Sequence, residues 1–205
     1  MQDNNASDKR YNWLMGADMY MAACIILCDE MLYSFISPIA SLNNTQQIDK
    51  KIGFTSRNPD YEMLLPAVFN FKHGIELYLK SLILVAKNSQ TYEFENKSHN
   101  LKCLVDKLSS LLKDNELIKK LGELERIVDK YYYGTYAFVN EFDRSKPDIN
   151  NEAERYPEYK NNSCYQIKSL YEKVSKKIIE SIIKDCKDSQ KILREGLLKP
   201  LASST

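Results

Sequence analysis

The stretch that most constrains this chain is 66–87, PAVFNFKHGIELYLKSLILVAK. Placed on a helical wheel, Val68, Phe71, Ile75, Leu79, Leu82 and Ala86 share one side with Leu64 just before them, and Phe69, Leu77, Ile83 and Leu84 occupy the others. A helix that is apolar nearly all round is central, and the rest of the chain has to cover it. Gly74, in its middle, costs roughly 1 kcal/mol against alanine. The close approach of a neighbouring backbone would compensate for that cost.

The remainder of the chain also reads as helical. Glycine and proline number only six each in 205 residues, and strand-like alternation is hard to find. Between 8 and 36, Trp13, Ala17, Tyr20, Cys24, Leu27, Met31 and Phe35 recur at steps of three and four, and Pro38 forces an end or a bend. Residues 43–60 connect this helix to the central one, and Asn58-Pro59 makes a plausible cap-then-proline start. A third helix is expected over 99–113, with Ser98 as N-cap and Leu101, Leu104, Val105, Leu108 and Leu112 facing inward. A fourth follows over 116–141, and a fifth over 163–193, where Ile167, Leu170, Val174, Ile178, Ile182 and Cys186 give the apolar stripe. The segment 143–163 is the longest irregular one; loops of that length in a compact domain are usually functional or disordered. The fold class expected is all-α, an up-and-down bundle of four or five helices. One domain spans 1–198, and 199–205 form a flexible tail.

Composition excludes more than it identifies. Lys and Arg total 29 against 28 Asp and Glu, a net charge of +1, so the whole molecule has no electrostatic pull on nucleic acid or membrane. No apolar run approaches the ~18–20 residues that span a bilayer. The polar opening MQDNNASDKR lacks the apolar segment of a secretory signal. The expected location is cytoplasmic, with no membrane partner. Five cysteines at scattered positions are not a disulfide framework. Cys24 and Cys28 are one turn apart in an apolar run and read as small buried hydrophobes. A zinc site would need two more ligands at suitable spacing, and none are in place, so no metal and no cofactor are expected.

The candidate chemistry lies on the central helix. His73, Glu76 and Lys80 are spaced by three and four, within about 60° of one another. A polar stripe on a buried helix is costly unless its members satisfy one another or line a cleft. The first case is an internal ion pair with a hydrogen-bonded histidine, which fixes packing. The second is a polar pocket or an interface. His99, the other histidine of the chain, opens the next helix, where a helix N-terminus favours anions. The tyrosines of 131–138, YYYGTYAF, read as core and rim packing rather than a stacking platform. The lysines of the last helix are interrupted by Glu172, Glu180, Asp185 and Asp188 and read as a solvated face. The sequence contains no glycine-rich phosphate loop, no nucleophile elbow and no His-Glu-x-x-His.

Three strings in order resemble a known family: FKHGIELYLKSLI (71–83), SHNLKCLVDKL (98–108), and the acidic loop that ends in Arg155-Tyr156-Pro157. They look like a bacterial subgroup of HEPN-like helical proteins. In that subgroup a His-x-x-Glu-x-x-Leu-Lys helix is followed by a His-Asp/Asn-Leu-x-x-Leu helix start, then an aspartate and an Arg-Tyr-Pro stretch. The matching positions are Lys72, His73, Glu76, Leu79 and Lys80; His99, Asn100, Leu101 and Leu104; and Asp143 with Arg155, Tyr156 and Pro157. The resemblance covers about residues 60–190. It implies a helical bundle, a homodimer, and an association with RNA metabolism, toxin–antitoxin systems and antiphage defence. Many members cleave RNA with an arginine followed, after four to six residues, by a histidine. No arginine here has a histidine at that spacing.

Two readings of function follow. In the first, His73, Glu76, Lys80, His99 and Arg155 form a polar cleft, with Asp143 and Tyr156 contributed by the loop. Arg155 would then give a bidentate anion contact, and a histidine a proton relay. This module would bind RNA or a nucleotide in a bacterial defence, stress or toxin–antitoxin setting. The alternative is a non-catalytic, dimeric protein-interaction bundle in which the polar stripe only sets packing register. A third is an enzyme acting on a small phosphorylated substrate in the bundle core.

Overall fold

The computed structural model describes residues 4–36, 59–88, 99–134 and 175–203. They form an all-α helical bundle and, among these residues, no strand occurs. The helices are α1 (Asn4–Ile36), α2 (Pro59–Ala86), α3 (Leu101–Leu111), α4 (Asn115–Tyr132) and α5 (Lys176–Lys191). The last runs on without a break through a π-helical stretch, Ile192–Leu198, into a final turn, α6 (Lys199–Ser203).

Short side chains set the starts. Asn100, not Ser98, caps α3 by accepting from the Cys103 amide at 3.1 Å. Asp114 accepts from the Glu116 amide at 2.7 Å and caps α4. Ser175 caps α5 through the Ile178 amide. Each cap satisfies an amide the helix cannot. Helix α4 stops at Tyr132, short of the expected 141, and the amides of Tyr133 and Gly134 both turn back to the Asp129 carbonyl. In place of a flexible tail from 199, Lys199–Ser203 is helical and Leu201 is buried. Leu193, Leu197 and Leu201 continue one face at steps of four, and that burial holds the last turn. The first half of the expected fifth helix lies outside the described residues.

Contacts fix the directions. Tyr20 meets His73 and Met21 meets Gly74, while Asp18 bonds Tyr78, so α1 and α2 are antiparallel. Cys186 reaches Met21, and Gln190 reaches Asp18, which sets α5 antiparallel to α1. Phe71 packs edge-on to Tyr131 at 4.8 Å, so α4 also crosses α2. The short α3 lies alongside α2, with His99 level with Glu76 and Lys102 bonded to Glu125 of α4.

The core centres on α2, as its all-round apolarity requires. Leu64, Phe71, Ile75, Tyr78, Leu79, Leu82 and Ile83 are sealed from solvent by the other helices. At Gly74 a Cβ would stand 2.8 Å from Met21 Cγ and 3.2 Å from the Ala17 carbonyl oxygen. The glycine therefore marks a point of close approach between α1 and α2.

Candidate functional site

The spacing of three and four that puts His73, Glu76 and Lys80 on one stripe of α2 also brings them onto a single carboxylate. Oε1 of Glu76 accepts from Lys80 Nζ at 2.5 Å, and Oε2 lies 3.4 Å from His73 Nδ1. His99, held just before the Asn100 cap, brings its Nδ1 to 3.0 Å from Oε1. Four of the sequence-derived residues thus converge. Arg155, Asp143 and Tyr156 lie outside the described residues.

Burial is graded across the cluster. The Glu76 side chain is 1% exposed, Lys80 13%, His73 19% and His99 32%. The carboxylate is the sealed centre, and the imidazoles form the rim. Burial alone would raise the Glu76 pKa. Hydrogen bonds from His73 and Lys80, together with the Lys80 charge, outweigh it and hold the group at about 2. Glu76 is a fixed anion near neutrality, an anchor rather than a proton carrier. His73 is further pinned by rings: it stacks on Phe69 at 5.5 Å between centroids and takes the edge of Tyr20 at 4.5 Å. Next to it Lys72, 1% exposed, places its ammonium 5.0 Å from the Tyr132 ring centre.

Two further polar nodes were not found from the sequence. Asp18 of α1 receives the Tyr78 hydroxyl from α2, the Gln190 amide at 2.9 Å and, at 3.5 Å, the Arg194 guanidinium. Asp185, which the sequence assigned to a solvated face, is buried at 3% and takes Lys130 at 2.7 Å and Tyr131 at 3.4 Å. Its signal was present: Asp185 falls between Ile182 and Ser189 at steps of three and four, on the inward face. The outward lysines, Lys177, Lys184, Lys187 and Lys191, are exposed as expected. Of the tyrosine run, Tyr131 and Tyr132 are core and Tyr133 is exposed.

Cys24, Cys28 and Cys186 are buried free thiols between α1 and α5. Hydrogen bonds with Cys186 and Cys28, and burial, push the Cys24 thiol far up, so it stays protonated. Among the described residues no group of His, Cys, Asp or Glu is arranged to hold a metal ion, and no helix is long and apolar enough to cross a membrane. A cleft of about 640 Å³ lies away from the Glu76 cluster, between α4 and the π-helical stretch. Its lining mixes the basic Lys120, Arg126, Lys130 and Lys191 with the acidic Glu123, Asp188 and Glu195, beside Ile127 and Ile192.

The fold and the cluster together define an all-α bundle organised around a buried, carboxylate-centred polar node. No family model, curated protein or solved structure matches the chain.

Proposed function

We propose that the chain is a HEPN-like helical module that holds RNA or a nucleotide without cutting it, in a bacterial defence, stress or toxin–antitoxin setting. One observation carries the reading: both histidines of the chain converge from two helices on the sealed Glu76 carboxylate while their rings stay partly open to solvent. A ring that directs Nδ1 at a fixed carboxylate turns Nε2 away from it, and two such rings offer oriented contacts to phosphate oxygens or base edges. Arg155 and Tyr156 supply the bidentate and stacking contacts in this reading. With no arginine-x4-6-histidine pair in the sequence, binding without scission is the expected behaviour.

The test is fluorescence anisotropy with labelled RNA and with a labelled nucleotide, together with a gel assay of RNA integrity. Wild type binds and leaves the RNA intact. His99→Ala, His73→Ala and Arg155→Ala each weaken binding at least about tenfold, the loss of roughly one charge-assisted hydrogen bond. Equal affinity in all three variants, or no binding by the wild type, overturns the proposal.

The second reading, a protein-interaction bundle, is favoured by the mutual satisfaction within the cluster. Lys80 and both histidines already contact Glu76. A wild type that binds neither probe would favour it.

A further inference from the structure

The cleft between α4 and the π-helical stretch holds about 640 Å³, within the ~300–1,000 Å³ of small-molecule sites. One wall departs from the regular helix. Ile192, Glu195 and Gly196 all belong to the π stretch, and π turns inside α-helices occur frequently at functional sites. Ile127, which is buried, and Ile192 give the cleft an apolar surface. At Gly196 a Cβ would stand 3.3 Å from Lys120 Cδ, so the lysine stem lies across the glycine while its ammonium bonds Glu123 at 2.9 and 3.0 Å.

The charges around the cleft sort into paired and unpaired. Lys120 is held by Glu123, Lys130 by Asp185, and Asp188 by Lys184. Arg126, Lys191 and Glu195 remain, all three exposed, and among the described residues none of them is in an ion pair. Arg126 commits only Nε, to the Gly122 carbonyl at 3.3 Å, and keeps both terminal nitrogens for a carboxylate. Lys191 and Glu195 are four apart on the facing wall and do not bond each other.

We propose that the cleft binds a zwitterion with an apolar body, an apolar α-amino acid or dipeptide. Its carboxylate lies between Arg126 and Lys191, its ammonium on Glu195, and its side chains on Ile127 and Ile192. The pattern of signs selects this class. A simple organic anion or a phosphate leaves Glu195 facing a charge of its own sign. An amine answers Glu195 and leaves two cations beside its own charge. A ligand carrying both signs answers all three groups, and covering two isoleucines calls for an apolar body. The site needs neither histidine and stands or falls apart from the RNA or nucleotide reading.

The experiment is isothermal titration calorimetry on the full chain with leucine and with leucyl-phenylalanine. Three controls each lack one feature: N-acetyl-leucine the ammonium, leucinamide the carboxylate, and glycine the apolar body. Leucine, the dipeptide or both are expected to bind at millimolar concentrations or below, and the tighter of the two identifies the source. Each control binds at least about fivefold more weakly, the loss of one exposed charged contact or of the apolar one. Arg126→Gln, Lys191→Gln and Glu195→Gln each weaken the zwitterion by about the same factor. Their circular dichroism is unchanged, since all three side chains are exposed. Glu195→Gln does not weaken N-acetyl-leucine, whereas Arg126→Gln does. No binding by either zwitterion overturns the proposal. So does any control, or inorganic phosphate, that binds as tightly as they do, and so do three variants with wild-type affinity.

Discussion

Nδ1 of His99 stands 3.0 Å from Oε1 of Glu76, across 23 residues of chain. That contact ties the start of α3 to the middle of α2, and the same oxygen also takes Lys80. Glu76→Gln keeps the shape and removes the charge on which three basic side chains converge. A buried ion pair broken on one side costs about 3–5 kcal/mol. The partial exposure of both histidines places this site at the lower end, about 3 kcal/mol. Urea unfolding followed by circular dichroism measures it. A midpoint equal to that of the wild type would mean that the cluster contributes nothing to stability.

The same carboxylate sets an acid limit. Glu76 titrates at about 2 in the folded chain against an ordinary value of 4.5. Because the folded pKa is depressed, the unfolded chain takes up the proton first as pH falls. The contribution is complete above the unfolded value and is lost between about 4.5 and 2, amounting to roughly 3 kcal/mol. Unfolding free energies followed from neutral pH down to about 3 should fall in wild type and fall less steeply in Glu76→Gln. Parallel curves would assign the acid sensitivity to other carboxylates.

The helices and the Glu76 cluster were legible in the sequence for one reason. Both depend on spacing along a single helix, and the period of 3.6 projects His73, Glu76 and Lys80 onto one stripe without knowledge of the fold. The nodes at Asp18 and Asp185 depend on partners 54 to 176 residues away. An aspartate on a helix looks the same in sequence whether water or a tyrosine from another helix receives it. The exposed apolar side chains of α1 were hidden differently: they interleave in sequence with the buried ones, and only the packing direction separates Met19 from Met21. The final turn is too short to show a period of its own, and only the burial of Leu201, one more step of four beyond Leu193 and Leu197, ties it to the helix before it.

Gly74 is a packing position. A Cβ there meets Met21 Cγ at 2.8 Å and the Ala17 carbonyl oxygen at 3.2 Å. The methionine end can swing away, but the carbonyl belongs to the α1 backbone and cannot. Gly74→Val adds two further carbons into that gap, and overpacking of this kind costs about 1–3 kcal/mol. The gain in helix propensity over glycine recovers only a few tenths. Thermal unfolding should show a clear drop, and the histidine cluster one residue away should loosen with it. A more stable variant would show that α1 and α2 can separate freely.

Tyr78 joins α2 to the node at Asp18. Its hydroxyl donates to that carboxylate, which also holds Gln190 of α5 and Arg194 of the π-helical stretch. Burial, reinforced by the hydrogen bond to Asp18 and its charge, pushes the phenol well above its ordinary value of 10. The folded chain therefore keeps this proton where the unfolded chain releases it. Stability from Tyr78 is complete below about 10 and is lost as the pH rises past it. Tyr78→Phe removes one hydrogen bond and leaves Asp18 with two donors, so the expected cost near neutrality is about 1 kcal/mol. Above pH ~10 the variant should lose less than wild type, and the two unfolding curves should converge. Curves that stay a constant distance apart up to high pH would show that Tyr78 ionises as freely folded as unfolded.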